Sequence, residues 1–181
     1  EPQASPPDPI TIVLDPLKVR TAPADRQRTG VDRAPDAVFV ATPQDVVEKM
    51  LELADVSRED VVYDLGSGDG RFVITAARKY RAKAVGYEID AELVQRSRRK
   101  IEQQKLGGLA SIAHKDFFTV GLAKADVVTV FLQPSLLERL RPQFKKLRPG
   151  SRIVSHFFEI PHVNPDKTIQ FESTVDGQRH T

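Results

Sequence analysis

From residue 61 to residue 158 the chain alternates short apolar runs with stretches of helical periodicity, and that alternation limits the folds open to it. "VVYDL", "AKAVGYEID", "ASIAHKD", "ADVVTVFL" and "SRIVSHFF" read as strands. Between them, "RFVITAARKY", "AELVQRSRRKIEQQ" and "SLLERLRPQFKKL" repeat apolar residues at three- and four-residue spacing and read as helices. Strand–helix–strand repeats cross over right-handedly and build a parallel sheet. Strands of such a sheet are covered on both faces, which accounts for "DVVTVFL" being almost uniformly apolar. The expectation is an α/β domain over residues 37–181, with a doubly wound, mostly parallel sheet.

The flanks read differently. In "ATPQDVVEKMLELADV", Thr42 is placed to cap a helix, Pro43 to occupy its first turn and Asp45 to complete a capping box. Val46, Met50, Leu53 and Ala54 then share one face. Pro142 is expected to bend the last helix or to start a second segment. Asp176-Gly177 is a hairpin signal, so the chain is expected to end in an antiparallel hairpin, truncated before a last strand. Seven of the thirteen prolines fall in residues 1–36, which reads as an extended, loosely attached arm. Within it, "ITIVLDPL" is either a short strand or a strap across the domain.

Composition excludes several chemistries. With no cysteine there are no disulfides, thiolate metal sites or thiol nucleophiles. The four histidines have no metal-ligand spacing, so no metal is expected. No apolar run reaches the roughly 20 residues of a membrane span. A net charge of only +2 permits an acidic partner without requiring nucleic acid.

The chemistry concentrates in "VVYDLGSGDGR". Gly66, Gly68 and Gly70 follow the first strand, where open α/β sheets bind ligands. Without side chains, backbone can approach a ligand closely, and the next helix offers free N–H groups. Dinucleotide sites space their glycines G-x-G-x-x-G. Here the spacing is G-x-G-x-G, and Asp64 precedes it. An acid there repels a pyrophosphate and suits a cation, such as the ammonium of an amino acid. S-adenosylmethionine, with an ammonium and a sulfonium, meets that requirement. Ser67 sits within the turn. Glu88 ends the second strand of "GYEID" and can accept from two ribose hydroxyls; Ile89 follows it. Asp116 ends the third strand and can accept from an adenine amino group, with Phe117 or Phe118 covering the ring.

"YDLGSGDGR", "GYEID" and "HKDFF" resemble the first three cofactor motifs of class I, seven-stranded S-adenosylmethionine-dependent methyltransferases, a Rossmann-like family. More narrowly, "VFVATPQDVVEKML", "DLGSGDGRFVITAA" and "RLRPQFKKLRPGSRIVSH" are similar to seven-stranded protein lysine methyltransferases. That group includes the mitochondrial ATP synthase c-subunit enzymes and, more remotely, the non-SET histone lysine enzymes. The resemblance implies that Val40 to Pro43, including Thr42, close over the cofactor. It also implies methylation of a lysine amine of a protein substrate. Methylation of a small molecule or of RNA, and cofactor binding without catalysis, stay open as alternatives. The cytoplasm is the expected location, because the cofactor is there; the first residue, Glu1, leaves a cleaved export signal open.

An acceptor is expected at the end of the fourth strand. Nucleobase amino-methylating enzymes commonly carry Asn/Asp-Pro-Pro-aromatic there, whereas this chain has Leu132-Gln133-Pro134-Ser135. Gln133 either orients an amine through its carbonyl or caps the loop. A lysine must lose its proton before attack, and burial favours the neutral amine. Phe117, Phe131, Phe157 and Phe158 are candidates for an apolar channel. His156, near the end of the fifth strand, is a candidate base; His114 is expected to be packed within its strand. Arg96, Arg98, Arg99 and Lys100 read as a solvated helix face.

Overall fold

The computed structural model describes residues 10–14 and 39–180. In chain order the elements are β1 (Ile10–Leu14), α1 (Gln44–Leu53), β2 (Val61–Leu65) and α2 (Arg71–Thr75), which continues as a π-helical stretch over Ala76–Tyr80. Then come β3 (Lys83–Glu88), α3 (Ala91–Gln103), β4 (Ala110–His114), β5 (Val127–Val130), α4 (Pro134–Phe144) and β6 (Arg152–His156). Three two-residue strands close the chain: β7 (Lys167–Thr168), β8 (Phe171–Glu172) and β9 (Arg179–His180).

Seven strands form one sheet in the order β4-β3-β2-β5-β6-β1-β7, and every pairing in it is parallel. β8 and β9 pair antiparallel across the turn containing Gly177. This is the expected α/β fold with a mostly parallel sheet, and the C-terminal hairpin is present. Strand order reverses between β2, which carries the glycine turn, and β5, so that turn sits at the switch point where such sheets bind ligands. Of the two readings of "ITIVLDPL", the structure takes the strand. β1 lies between β6 and β7, with Ile10 opposite Arg152 and Leu14 opposite His156. For these five residues the expectation of a loose arm is corrected; the rest of the arm lies outside the described residues.

Strands β2 to β6 feed two cores, because successive side chains point to opposite faces. Val62, Ala84, Ile112, Val127 and Val154 pack with α1, α2 and α3 on one face. Tyr63, Leu65, Tyr87, Val128, Val130 and Ile153 pack with α4 on the other. The same alternation places Asp64, Glu88 and His156 together on the α1–α3 face, at the carboxyl ends of three strands. Gly86 lies opposite Asp64 on β3. A methyl there would fall 2.5 Å from Ser67 Oγ and 2.7 Å from Ile112 Cδ1, so the strand needs glycine for space.

Three local expectations differ from what is observed. The capping box before α1 does not form: Pro43 occupies the cap position with no side-chain cap bond. Thr42 and Asp45 are instead drawn to distant partners, described below. Pro142 does not start a second segment: α4 runs on through it to Phe144. His114 is exposed rather than packed, because β4 is the sheet's outer strand, and its Nε2 lies 2.9 Å from the Ile89 carbonyl.

Candidate active site

The glycine turn is held from both ends. The N–H groups of Gly66 and Ser67 donate to the Tyr87 carbonyl at 2.9 and 3.1 Å, and Gly70 N–H donates to the Ser67 carbonyl at 2.8 Å. Gly70 has φ of +80° and directly precedes α2. A methyl on it would lie 2.8 Å from Ser97 Cβ, so both backbone and space require glycine. A methyl on Gly68 would overlap the Phe39 ring, which lies directly over the turn. A methyl on Gly66 would approach Leu132 and Phe117 at 3.6 and 3.8 Å, so these two side chains flank the turn.

Asp64, one residue before the end of β2, is buried, with Thr129 Oγ1 donating to its Oδ1 at 2.7 Å. Burial pushes its carboxyl up to about 7; the neighbouring charges of Glu88 and Asp69 add to this, and the Thr129 bond opposes it. Among the described residues no cation pairs with it. A ligand ammonium would provide one, as the sequence implied. Glu88 is also buried. Its Oε2 accepts from Gly68 N–H at 2.8 Å, and its Oε1 accepts from the Ile89 and Asp90 N–H groups at 2.8 and 2.9 Å. One carboxylate thus sets the position of the turn and of the β3–α3 loop while keeping acceptor capacity for a hydroxyl. Asp116 receives the Phe118 N–H at 2.9 Å, and Phe117 is buried beside Gly66. Ser67 differs from the others: its hydroxyl turns back over Gly86 and makes no hydrogen bond, so only its backbone faces a ligand at the turn.

Asp69, absent from the sequence-derived set, anchors a second network. Its carboxylate accepts from Arg71 Nε and Nη2 at 2.9 and 3.0 Å and from Lys100 Nζ at 2.8 Å. Burial alone would raise this carboxyl, but the bonds and charges of Arg71 and Lys100 hold it down at about 2. Arg71 Nη1 also donates to the Thr42 carbonyl, tying the turn to the segment before α1. Lys100 and Arg98, which donates to the Ile112 carbonyl, also bond back to the fold, while Arg96, Arg98 and Arg99 stay exposed as expected of a solvated face.

On the other side of β2 lies an aromatic wall. Phe131 stands 4.4 Å from His156, 5.4 Å from Phe157 and 6.5 Å from Phe158, measured between ring centres. All three phenylalanines are half-buried, whereas His156 is fully buried. Burial and the neighbouring His180 push the His156 imidazole down to about 3, so it stays neutral. Thr42 Oγ1 lies 3.1 Å from its Nδ1 and His180 Nδ1 lies 3.3 Å from its Nε2, which occupies both ring nitrogens. Gln133 occupies the cap position of α4 without capping it, and among the described residues its side-chain amide has no hydrogen-bond partner. Val40 is exposed beside Phe39.

The family described as "ANTKMT methyltransferase domain" matches residues 64–167. A protein-lysine N-methyltransferase of Saccharolobus islandicus is 47% identical over 140 residues, covering 76% of this chain and 87% of that protein. The chain belongs to this methyltransferase family. The ATP synthase c-subunit lysine N-methyltransferase of Rattus norvegicus is 34% identical over 72% of the chain, which spans 60% of that longer protein. Among solved structures, an RNA methyltransferase of Salinibacter ruber in complex with S-adenosylhomocysteine aligns with a TM-score of 0.72 and 44% identity, over 78% of this chain and 90% of that one. A methyltransferase of Geobacter sulfurreducens, also with S-adenosylhomocysteine, aligns at 0.52 with 22% identity, a likeness of fold.

The chain is therefore an S-adenosylmethionine-dependent methyltransferase, and the cradle accords with that cofactor. Two turn glycines have no room for a methyl group, a buried acid pairs with no cation among the described residues, and a second acid keeps capacity for a hydroxyl. Sequence reasoning missed Phe39, Asp69, Arg71, Thr129 and His180. Asp69 and Arg71 lay within the glycine motif and had a readable signal, since an Asp-x-Arg pair beside a helix start commonly forms a local ion pair. Thr129 and His180 had none, because each reaches its partner across the fold.

Proposed function

We propose that this chain methylates the side-chain amine of lysine in a protein substrate. When bound, S-adenosylmethionine supplies a methyl group already activated by its sulfonium. Asp64 holds the cofactor's ammonium, Glu88 its ribose, and Asp116 and Phe117 its adenine end. Phe39, Val40 and Thr42 close over the glycine turn, and Ile89 lines the loop after Glu88. Phe131, Phe157 and Phe158 make an apolar wall along which the acceptor enters. That wall disfavours an ammonium ion, so the lysine arrives as the neutral nucleophile. Gln133 offers its amide carbonyl to orient the amine. His156 keeps the wall uncharged rather than serving as base: burial holds its imidazole down to about 3, too weakly basic to take a proton from an amine, and both nitrogens are already bonded.

The half-buried aromatic wall, with Gln133 two residues after Phe131 and without a side-chain partner among the described residues, carries this reading, and the names of the Saccharolobus and rat relatives support it. The similarity to the Salinibacter RNA methyltransferase makes RNA the acceptor to exclude. The protein is incubated with methyl-labelled S-adenosylmethionine and a cell extract, and the products are fractionated. Label recovered as methyl-lysine after acid hydrolysis of the protein fraction supports the proposal. Label confined to RNA or to small metabolites overturns it.

A further inference from the structure

The C-terminal hairpin reaches the site through a buried chain of hydrogen bonds. Asp176, in the turn between β8 and β9, has both carboxylate oxygens 3.1 Å from His180 Nε2. His180 Nδ1 lies 3.3 Å from His156 Nε2, and His156 Nδ1 lies 3.1 Å from Thr42 Oγ1. His156 and His180 are 1% and 2% exposed, so water does not compete for the contact between them. From Thr42 the chain continues through its carbonyl to Arg71, and from Arg71 to Asp69 in the glycine turn. The hairpin is fixed at a second point, where the Asp45 carboxylate receives Ser173 Oγ at 2.8 Å and Thr174 N–H at 2.8 Å.

The chemistry of these atoms settles the direction of each bond. The Asp176 carboxylate only accepts, so His180 Nε2 carries a proton and donates. In neutral His180 the other nitrogen is then a bare acceptor. His156 Nε2 must donate to it, which leaves His156 Nδ1 bare and makes the Thr42 hydroxyl the donor. One carboxylate on the hairpin thus selects the tautomer of a histidine on β6 and the orientation of a hydroxyl before α1.

We propose that Asp176 and His180 are positioning residues for methyl transfer: they fix His156 in its Nε2–H form, so that it holds Thr42 and the segment before α1 over the glycine turn. This rests on Val40–Pro43 covering the cofactor, but not on which acceptor takes the methyl. The groups facing His180 are the Asp176 carboxylate from its own hairpin, the His156 imidazole from β6 and the edge of the Phe157 ring. The Asp45 carboxylate of α1 stands one hydroxyl away, through Ser173.

Nitrogen-15 NMR of the imidazoles at pH 8 reads the arrangement directly. His156 is expected to show a protonated Nε2 and a bare Nδ1. His180→Ala should convert those signals to a tautomer mixture and lower turnover by about tenfold, the scale of one lost buried hydrogen bond. His180→Asn, whose amide oxygen replaces Nδ1 as acceptor, should restore the single tautomer and most of the turnover, as a merely structural role for the ring would not. S-adenosylhomocysteine affinity, measured by calorimetry on the same variants, should fall in His180→Ala and recover in His180→Asn. A wild-type His156 protonated on Nδ1 would overturn the relay, as would a His180→Ala protein with unchanged imidazole signals. The imidazole result stands whether label later appears in lysine or in RNA, so failure of the lysine assignment and failure of the relay are distinguishable.

Discussion

The two sides of β2 are built on different principles. Toward β3, the cofactor side is centred on one short motif and its neighbours in sequence, with longer bonds from Thr129, Lys100 and the Thr42 carbonyl tying it to the fold. Gly66, Gly68 and Gly70 lie within six residues of Asp64, Asp69 pairs with Arg71 two residues on, and Glu88 bonds the N–H groups of Ile89 and Asp90. Toward β5 and β6, the acceptor side is assembled from residues far apart. Thr42 meets His156 across 114 positions, and Asp45 meets Ser173 across 128. A local site keeps its geometry wherever the turn and its helix form. A site made of long-range bonds depends on the whole sheet closing and on the hairpin docking. The cofactor half should accordingly respond to substitution in binding and the acceptor half in turnover and stability, while the His180–His156–Thr42 chain, which joins the two, should show in both.

The largest effects are expected on the cofactor side. Asp64→Ala and Glu88→Ala should each weaken S-adenosylhomocysteine binding by about 1–3 kcal/mol, because a buried polar partner is left unpaired. Calorimetry on folded variants reads this; unchanged affinity in both would remove the roles given to these acids. Gly70→Ala should lower stability by about 1–3 kcal/mol through its positive φ and the approach to Ser97, with the denaturation midpoint as the measurement.

On the acceptor side, Gln133→Ala should reduce turnover by about tenfold while cofactor affinity stays within about twofold, since an orienting contact acts on the transition state. Equal losses in both quantities would show that the two sides are not separable at Gln133. The smallest effect is expected at the hairpin's outer anchor. Asp45→Ala removes the bonds to Ser173 and Thr174 and should cost about 1–2 kcal/mol of stability, visible as faster amide exchange in residues 171–180. Exchange unchanged there would mean that the hairpin is held by other contacts.

The same division governs what the sequence disclosed. The strands from Val61 to His156 and the helices between them follow from periodicity alone, because a parallel sheet needs apolar strands and amphipathic crossovers. Asp64 and Glu88 were legible because strand ends and glycine spacing mark them locally. The place of Ile10–Leu14 beside β6 was not, since a five-residue apolar run among prolines carries no record of its partner. Thr42 and Asp45 spelled a capping box, yet His156 and Ser173 took their side chains. A local bond of about 1 kcal/mol yields easily to a buried tertiary one. His180 gave no signal in the sequence, because its role exists only once β6 and the hairpin have met.

The role of Asp64 is tested most directly by S-adenosylhomocysteine affinity as a function of pH. In the free protein its carboxyl is raised to about 7, above the value near 3.9 of an unfolded chain, so the folded state holds an extra proton between those values. The stability that proton contributes is present below about pH 4 and lost as the pH rises through about 7. A ligand ammonium needs the ionised form, so binding below pH 7 must expel the proton. Calorimetric titrations from pH 5.5 to 7.5, in buffers of different ionisation heat, should show affinity rising by nearly tenfold per pH unit at the acid end and levelling near pH 7, with up to one proton released; Asp64→Asn should bind weakly and without that slope. A wild-type affinity flat across this range, or a slope that persists in Asp64→Asn, would contradict the assignment of Asp64 as the group that reads the cofactor's charge.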